Sequence, residues 1–222
     1  MRLFLLALLL FRVSFATAAP APVLDLTPVK KWIARQDDLR TVQADFVQTR
    51  ALRALRSPVA VPGRIAFRAP DSLRWELGDP AKTIVLRKED TYFLIQPAKK
   101  KAERVPAADM EKKGAAKGLA MMKFPLAKDF ADFNRQFEVL AISTTENRCH
   151  LEVLPRDPQA GKFLTAIRID FDMTTSHLIA FEMAFRDGSS MRNEFSNVRM
   201  NQKLPPHTFD FDLTGYDFAD AK

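Results

Sequence analysis

Cysteine occurs once in this chain of 222 residues, at Cys149, so no internal disulfide holds it together. Tyrosine and tryptophan are nearly as scarce, with 2 of each against 18 phenylalanines. Surfaces that bind sugars or proteins favour Tyr and Trp, whose polar tips tolerate water. Phenylalanine has no such tip, and a chain this rich in it holds either a large dry core or a dry cavity. The signatures of catalysis are also missing. H-E-x-x-H, C-x-x-C and G-x-S-x-G do not occur, and "GAAKG" lacks the spacing of a phosphate loop. His150, His177, His207 and the scattered carboxylates form no metal set, and no cofactor is expected. Cys149 and His150 are neighbours, which on a strand sends them to opposite faces rather than into a nucleophile–base pair. Asp170 and Asp172 share a strand face and read as solvated charge. No Gly/Ser linker divides the chain, and no apolar run reaches the roughly 20 residues of a membrane span.

The N-terminus has a recognisable grammar. Arg2, an apolar run from Leu3 to Leu10 and Ala16-Thr17-Ala18 describe a secretory signal peptide cut after Ala18. No cysteine stands near the cut to carry a lipid anchor. Residues 1–18 are thus expected to leave and 19–222 to fold as one exported domain. Export makes nucleic acid a poor partner for the formal charge of +7, which falls to about +5 without Arg2 and Arg12. Arg50, Arg53 and Arg56 recur every third residue. They read as solvated charge, with an anionic partner as the alternative.

Further along, Thr27-Pro28 starts a helix whose stripe is Val29, Trp32, Ile33 and Leu39, ending near Arg40. From Thr41 the period changes to two. Val42, Ala44 and Phe46 make one strand; Ile65 and Phe67 a second; Leu73, Trp75 and Leu77, alternating with Arg74 and Glu76, a third. Strands at 82–87 and 91–96 complete a meander that stops at Pro97, with Lys99–Lys101 an exposed loop. A helix interrupted by Gly114 and Gly118 follows Pro106, and a second helix covers Leu126 to Phe133. Strands return around Phe137–Ala141, Leu151–Val153, Ile167–Phe171 and Ile179–Phe185, turn at Asp187-Gly188, and continue from Met191 to Val198. Phe209 and Phe211 mark a last short strand. Alternation leaves one face of this sheet wet. A long twisted sheet with so few helices to cover its apolar face tends to curl, although an ordinary filled core gives similar stripes.

Three stretches carry a family likeness. "LRTVQADFVQTR", "GRIAFRAPDSLRWEL" and "PAKTIVLRKEDTYFLIQP" resemble the N-terminal half of the outer-membrane lipoprotein carrier family (LolA-like), with Phe46, Gln48, Gly63, Pro70 and Trp75 in the family's F-x-Q, glycine, R-P and aromatic-strand positions. The closing "FDFDLTGYDFAD" is similar as well. The resemblance implies an α+β fold, a strongly curved antiparallel sheet forming an open half-barrel with a helical lid on its concave face. It also implies a monomeric periplasmic shuttle for lipoprotein or lipid acyl chains, between an inner-membrane donor transporter and an outer-membrane acceptor. Relatives often place an arginine before the R-P proline to latch the lid; this chain has Ala69 there, which leaves Arg68 as the candidate latch.

These readings converge on a non-enzymatic carrier. Phe46, Phe67, Leu73, Trp75, Ile169, Phe181 and Met183 are expected as cavity wall, and Trp32, Leu119, Met121 and Met122 as lid, methionine being adaptable against irregular apolar partners. A lipid-sensing regulatory domain and an exported hydrolase are the alternatives.

Overall fold

The computed structural model describes residues 24–109 and 127–220. Helix α1, Thr27–Ala34, starts with Pro28 in its first turn and buries Val29, Trp32 and Ile33 on one face. It stops well short of Arg40. The backbone N–H of Gln36 bonds to the Ile33 carbonyl and that of Leu39 to the Gln36 carbonyl, so the Asp37-Asp38 stretch folds as turns.

The strands follow as β1 Thr41–Ala51, β2 Val59–Arg68, β3 Ser72–Leu77, β4 Thr83–Lys88, β5 Thr91–Gln96 and β6 Lys101–Pro106. Helix α2, Phe130–Gln136, is capped by the Asp129 side chain, which accepts from the Asp132 N–H. Then come β7 Phe137–Thr145, β8 Arg148–Pro155, the single turn α3 Pro158–Gly161, β9 Leu164–Asp172, β10 Leu178–Phe185, β11 Ser190–Met200 and β12 Asp217–Asp220. All twelve strands form one open sheet in the order β12-β6-β5-β4-β3-β2-β1-β11-β10-β9-β8-β7. It is antiparallel except where β12 meets β6.

Several expectations need correction. The Lys99–Lys101 loop is a short 3-10 turn followed by β6, whose only buried residues, Ala102 and Val105, are too few to give an alternation signal. Phe209 and Phe211 are not a strand. They belong to an irregular segment packed on the sheet's outer face, where Phe209, with Leu204, Phe211, Leu213 and Tyr216, covers Ala66, Ile84, Leu86, Ile95 and Ala102. The outer face is therefore not uniformly wet, and β4 buries Ile84, Val85 and Leu86 in succession. The second helix lies at Phe130–Gln136 rather than Leu126–Phe133. Residues 107–109 begin a helical turn after Pro106, and the rest of the expected glycine-interrupted helix lies outside the described residues, as does the signal peptide.

The sheet curls at its centre. The rings of Trp75 on β3 and Phe195 on β11 lie 6.5 Å apart. With β2 and β1 between them, a flat sheet would separate these strands by about 14 Å. Phe46 of β1 fills the concave side, 4.2 Å from Trp75 and 5.9 Å from Phe195 between ring centroids. Its ring reaches Trp75 by lying across Gly63, its register partner on β2. A Cβ at position 63 would collide with that ring and come within 2.6 Å of the Glu76 carbonyl oxygen. Gly63→Ala is accordingly expected to cost about 1–3 kcal/mol, read as a lowered denaturation midpoint. In a Phe46→Leu background the same change should cost clearly less. Equal stability of Gly63→Ala and the parent protein would contradict this packing.

Candidate functional site

On the concave side, beside the Phe46–Trp75–Phe195 cluster, the sheet and α1 border an apolar hollow that is open at one side. The strands contribute residues from their inward faces, with alternation broken at the bulges of β10 and of the β1–β11 pair. Val42 and Ala44 come from β1, Ile65 and Phe67 from β2, Leu73 and Trp75 from β3, Ile169 from β9, Leu178 and Phe181 from β10, and Phe195, Val198 and Met200 from β11. Trp32 and Leu39 close it from the α1 side. The polar members, Arg35, Gln36 and Ser176, gather at the end of α1 and the β9–β10 turn.

Trp32 ties the helix down. Its indole stacks on Phe171 with centroids 4.6 Å apart and planes 9° from parallel. Its Nε1–H donates to the Ser176 carbonyl at 3.1 Å, satisfying the polar edge of an otherwise buried ring. Beyond Phe46 the concave side turns polar. The amide of Gln48 donates to Asn193 Oδ1 at 3.0 Å, both residues being buried, and Arg50 Nε donates to Gln48 Oε1 at 2.9 Å. The F-x-Q pair thus holds two jobs: Phe46 packs behind the lining against Trp75 and Phe195, and Gln48 bridges β1 to β11 beyond it.

Of the residues expected from sequence, Phe67, Leu73, Trp75, Ile169, Phe181 and Trp32 meet in this lining. Phe46 and Met183 do not: both are almost wholly buried, Phe46 in the aromatic cluster and Met183 in the core of the β7–β11 half. Leu119, Met121 and Met122 lie outside the described residues. Arg68 needs correction as a latch, because Phe67 faces the hollow and its neighbour therefore faces out. Its guanidinium lies 4.8 Å from the Phe209 ring centroid and it donates to Ser72 Oγ, so among the described residues its contacts are with the outer cover rather than α1. Sequence reasoning missed Leu178. The stripe pointed to Ile179, but the β9–β10 register shifts between Leu178 and Ala180 and brings Leu178 round to the inside.

The outer face of the β8–β11 half carries a ladder of charges. Arg168 bonds Glu152 and Glu182 at 2.8 and 2.9 Å, Arg192 reaches Glu182 and Asp170, and His150 Nδ1 lies 2.9 Å from Asp170. Asp170 is therefore buried and partnered rather than solvated. Ser143 stands opposite His150 in the β7–β8 register. Arg192 shares the Asp170 carboxylate with His150. Cys149, on the inner side, has its thiol pushed up to about 11, by burial first and by the charge of Asp170 second. That leaves a packing residue, not a nucleophile. No group of three or more metal-ligating side chains clusters among the described residues, and no helix among them is long and apolar enough to cross a membrane.

Comparison with known proteins agrees with this geometry. Residues 37–212 match the family described as outer membrane lipoprotein carrier protein LolA. An outer-membrane lipoprotein carrier protein of Dechloromonas aromatica (strain RCB) is 25% identical over 172 residues, covering 78% of this chain and 77% of that one. A protein of the same description from Chromobacterium violaceum is 25% identical over 195 residues, covering 87% and 86%. Among solved structures, an uncharacterized conserved protein from Thermus thermophilus superposes with a TM-score of 0.53 at 7% identity, over 85% of this chain and 97% of that one, a likeness of fold. The chain belongs to the LolA family of outer-membrane lipoprotein carriers.

Proposed function

We propose that this protein is a periplasmic, monomeric carrier that holds the acyl chains of a lipoprotein or another lipid in the hollow. It takes them from an inner-membrane donor transporter to an outer-membrane acceptor. The observation that carries the reading is an apolar hollow, open at one side, in a family of carriers rather than enzymes. Burying each CH₂ contributes about 0.8 kcal/mol, so a chain of about 16 carbons gains on the order of 10 kcal/mol before losses. Retention then needs no covalent bond, and release is the harder step. On this reading Phe67, Leu73, Trp75, Ile169 and Phe181 are wall, while Phe46 and Met183 brace it from behind. Trp32 belongs to a lid that moves when its ties to Phe171 and Ser176 break. Leu119, Met121 and Met122 are the proposed remainder of that lid and refill the hollow as cargo leaves.

Both tryptophans of the chain, Trp32 and Trp75, line the hollow, so intrinsic fluorescence reports on it directly. Addition of a long-chain fatty acid or phospholipid should shift the emission, and Trp75→Phe should remove part of the shift. A spectrum unchanged across a lipid panel would count against acyl binding. Val198 is half-buried in the lining, outside the main core clusters. Val198→Phe should narrow the hollow and weaken acyl-probe binding about tenfold, equivalent to about 1.4 kcal/mol, with little change in melting temperature. Undiminished affinity in a folded Val198→Phe protein would move the binding site elsewhere.

A further inference from the structure

The direction of each strand sorts the connections into two poles. At one end of the sheet lie the β1–β2, β3–β4, β5–β6, β8–β9 and β10–β11 connections. At the other lie the α1–β1, β2–β3, β4–β5, β7–β8 and β9–β10 connections. The pairings of Arg50 with Val59 and Ala51 with Ser190, and the Arg186 N–H bond to the Phe163 carbonyl, place three of the first set side by side. The poles differ in charge. Basic residues dominate the first, led by Arg53, Arg56, Lys99 and Lys100, with Asp79, Asp157 and Asp187 as its acids. The described connections of the second are acidic, with Asp37, Asp38, Asp71, Glu89, Asp90 and Glu146 against Arg35 and Arg40.

The β1–β2 connection concentrates this contrast. No Asp or Glu occurs between Phe46 and Arg64. Its leucines are unusually exposed for their type: Leu52 at 44% and Leu55 at 47%, on either side of a turn closed by the Leu55 N–H bond to the Leu52 carbonyl. Val59 at 46% stands at the base of the same connection, and Phe163 at 47% on the adjoining one. Prominent apolar side chains on a narrow tip, ringed by arginines, match the chemistry of an anionic bilayer surface. The apolar groups enter the headgroup layer and the cations meet lipid phosphates. A protein partner would call for a broader continuous apolar patch.

We propose that this pole docks on anionic phospholipid membranes, with Leu52 and Leu55 inserting and Arg53 and Arg56 pairing with the lipid phosphates. Docking this way turns the pole that bears Arg35, Gln36 and Ser176 away from the bilayer and leaves the rim of the hollow free.

Co-sedimentation of the purified chain with vesicles tests the proposal. The protein should pellet with phosphatidylcholine vesicles containing about one-third phosphatidylglycerol, much less with pure phosphatidylcholine, and progressively less as salt rises. Each arginine contributes about five-fold in partitioning, so Arg53→Gln with Arg56→Gln should lower it about 25-fold. Leu52→Ser with Leu55→Ser should lower it comparably in low salt. Val198→Phe should leave docking intact, which separates this proposal from acyl binding in the hollow. Circular dichroism and acyl-probe binding confirm that the tip variants stay folded. Equal pelleting with both vesicle types, no pelleting with either, or pelleting unmoved by both tip variants would overturn it. So would tip variants that lose only the capture of an acidic protein.

Discussion

Phe46 can lie across β2 only because position 63 has no side chain, and much of the concave side follows from that. With its ring over Gly63, Phe46 touches both Phe195 on the neighbouring strand and Trp75 two strands away, and the rings of Trp75 and Phe195 come within 6.5 Å although a flat sheet would hold their strands apart. The cluster fixes the curl at the centre of the sheet and floors the hollow. Aromatic contacts of this kind add about 0.5–1.5 kcal/mol each beyond area burial. Their larger effect here is geometric, because the residues above the floor, Ala44, Ile65 and Phe67, inherit a concave wall rather than a plane.

A curled sheet has two faces to satisfy, and the two halves of this one do so differently. The β2–β6 half is covered outside by the irregular segment from Leu204 to Tyr216, so its central strand is buried on both sides. The β8–β11 half faces water with an alternating ladder of Glu152, Arg168, Glu182, Arg192 and Asp170. Ion pairs on a sheet surface add little stability individually where they are exposed, as at Arg168 and Glu152. As a network they give the outer face of four strands a polar surface, so their apolar residues point inward to α1 and α2. Among the described residues, α1 and α2 leave the space across to β1–β3 open, and that space is the hollow.

Much of this was legible in the sequence where period two was clean. Leu73, Trp75 and Leu77 on β3 and Ile167, Ile169 and Phe171 on β9 read correctly because regular pairing preserves alternation. The reading failed where the physics left a weaker trace. Leu178 was hidden by a bulge that turns it inward, β6 by having only Ala102 and Val105 buried, and the partnering of Asp170 by cross-strand neighbours distant in sequence. The outer cover at Phe209 and Phe211 alternates like a strand but is held by burial against Ala66, Ile84 and Ile95, not by a ladder. The family likeness supplied what periodicity could not: that the stripes enclose a space rather than a filled core.

The most direct test of that space is photochemical. The chain would be loaded with a fatty acid bearing a photoactivatable group at mid-chain, irradiated, and digested, and the labelled peptides mapped by mass spectrometry. The account predicts adducts on the inner strands, around residues 65–75, 169–181 and 195–200. Adducts confined to the outer segment around Leu204–Tyr216, or no adducts at all, would contradict it.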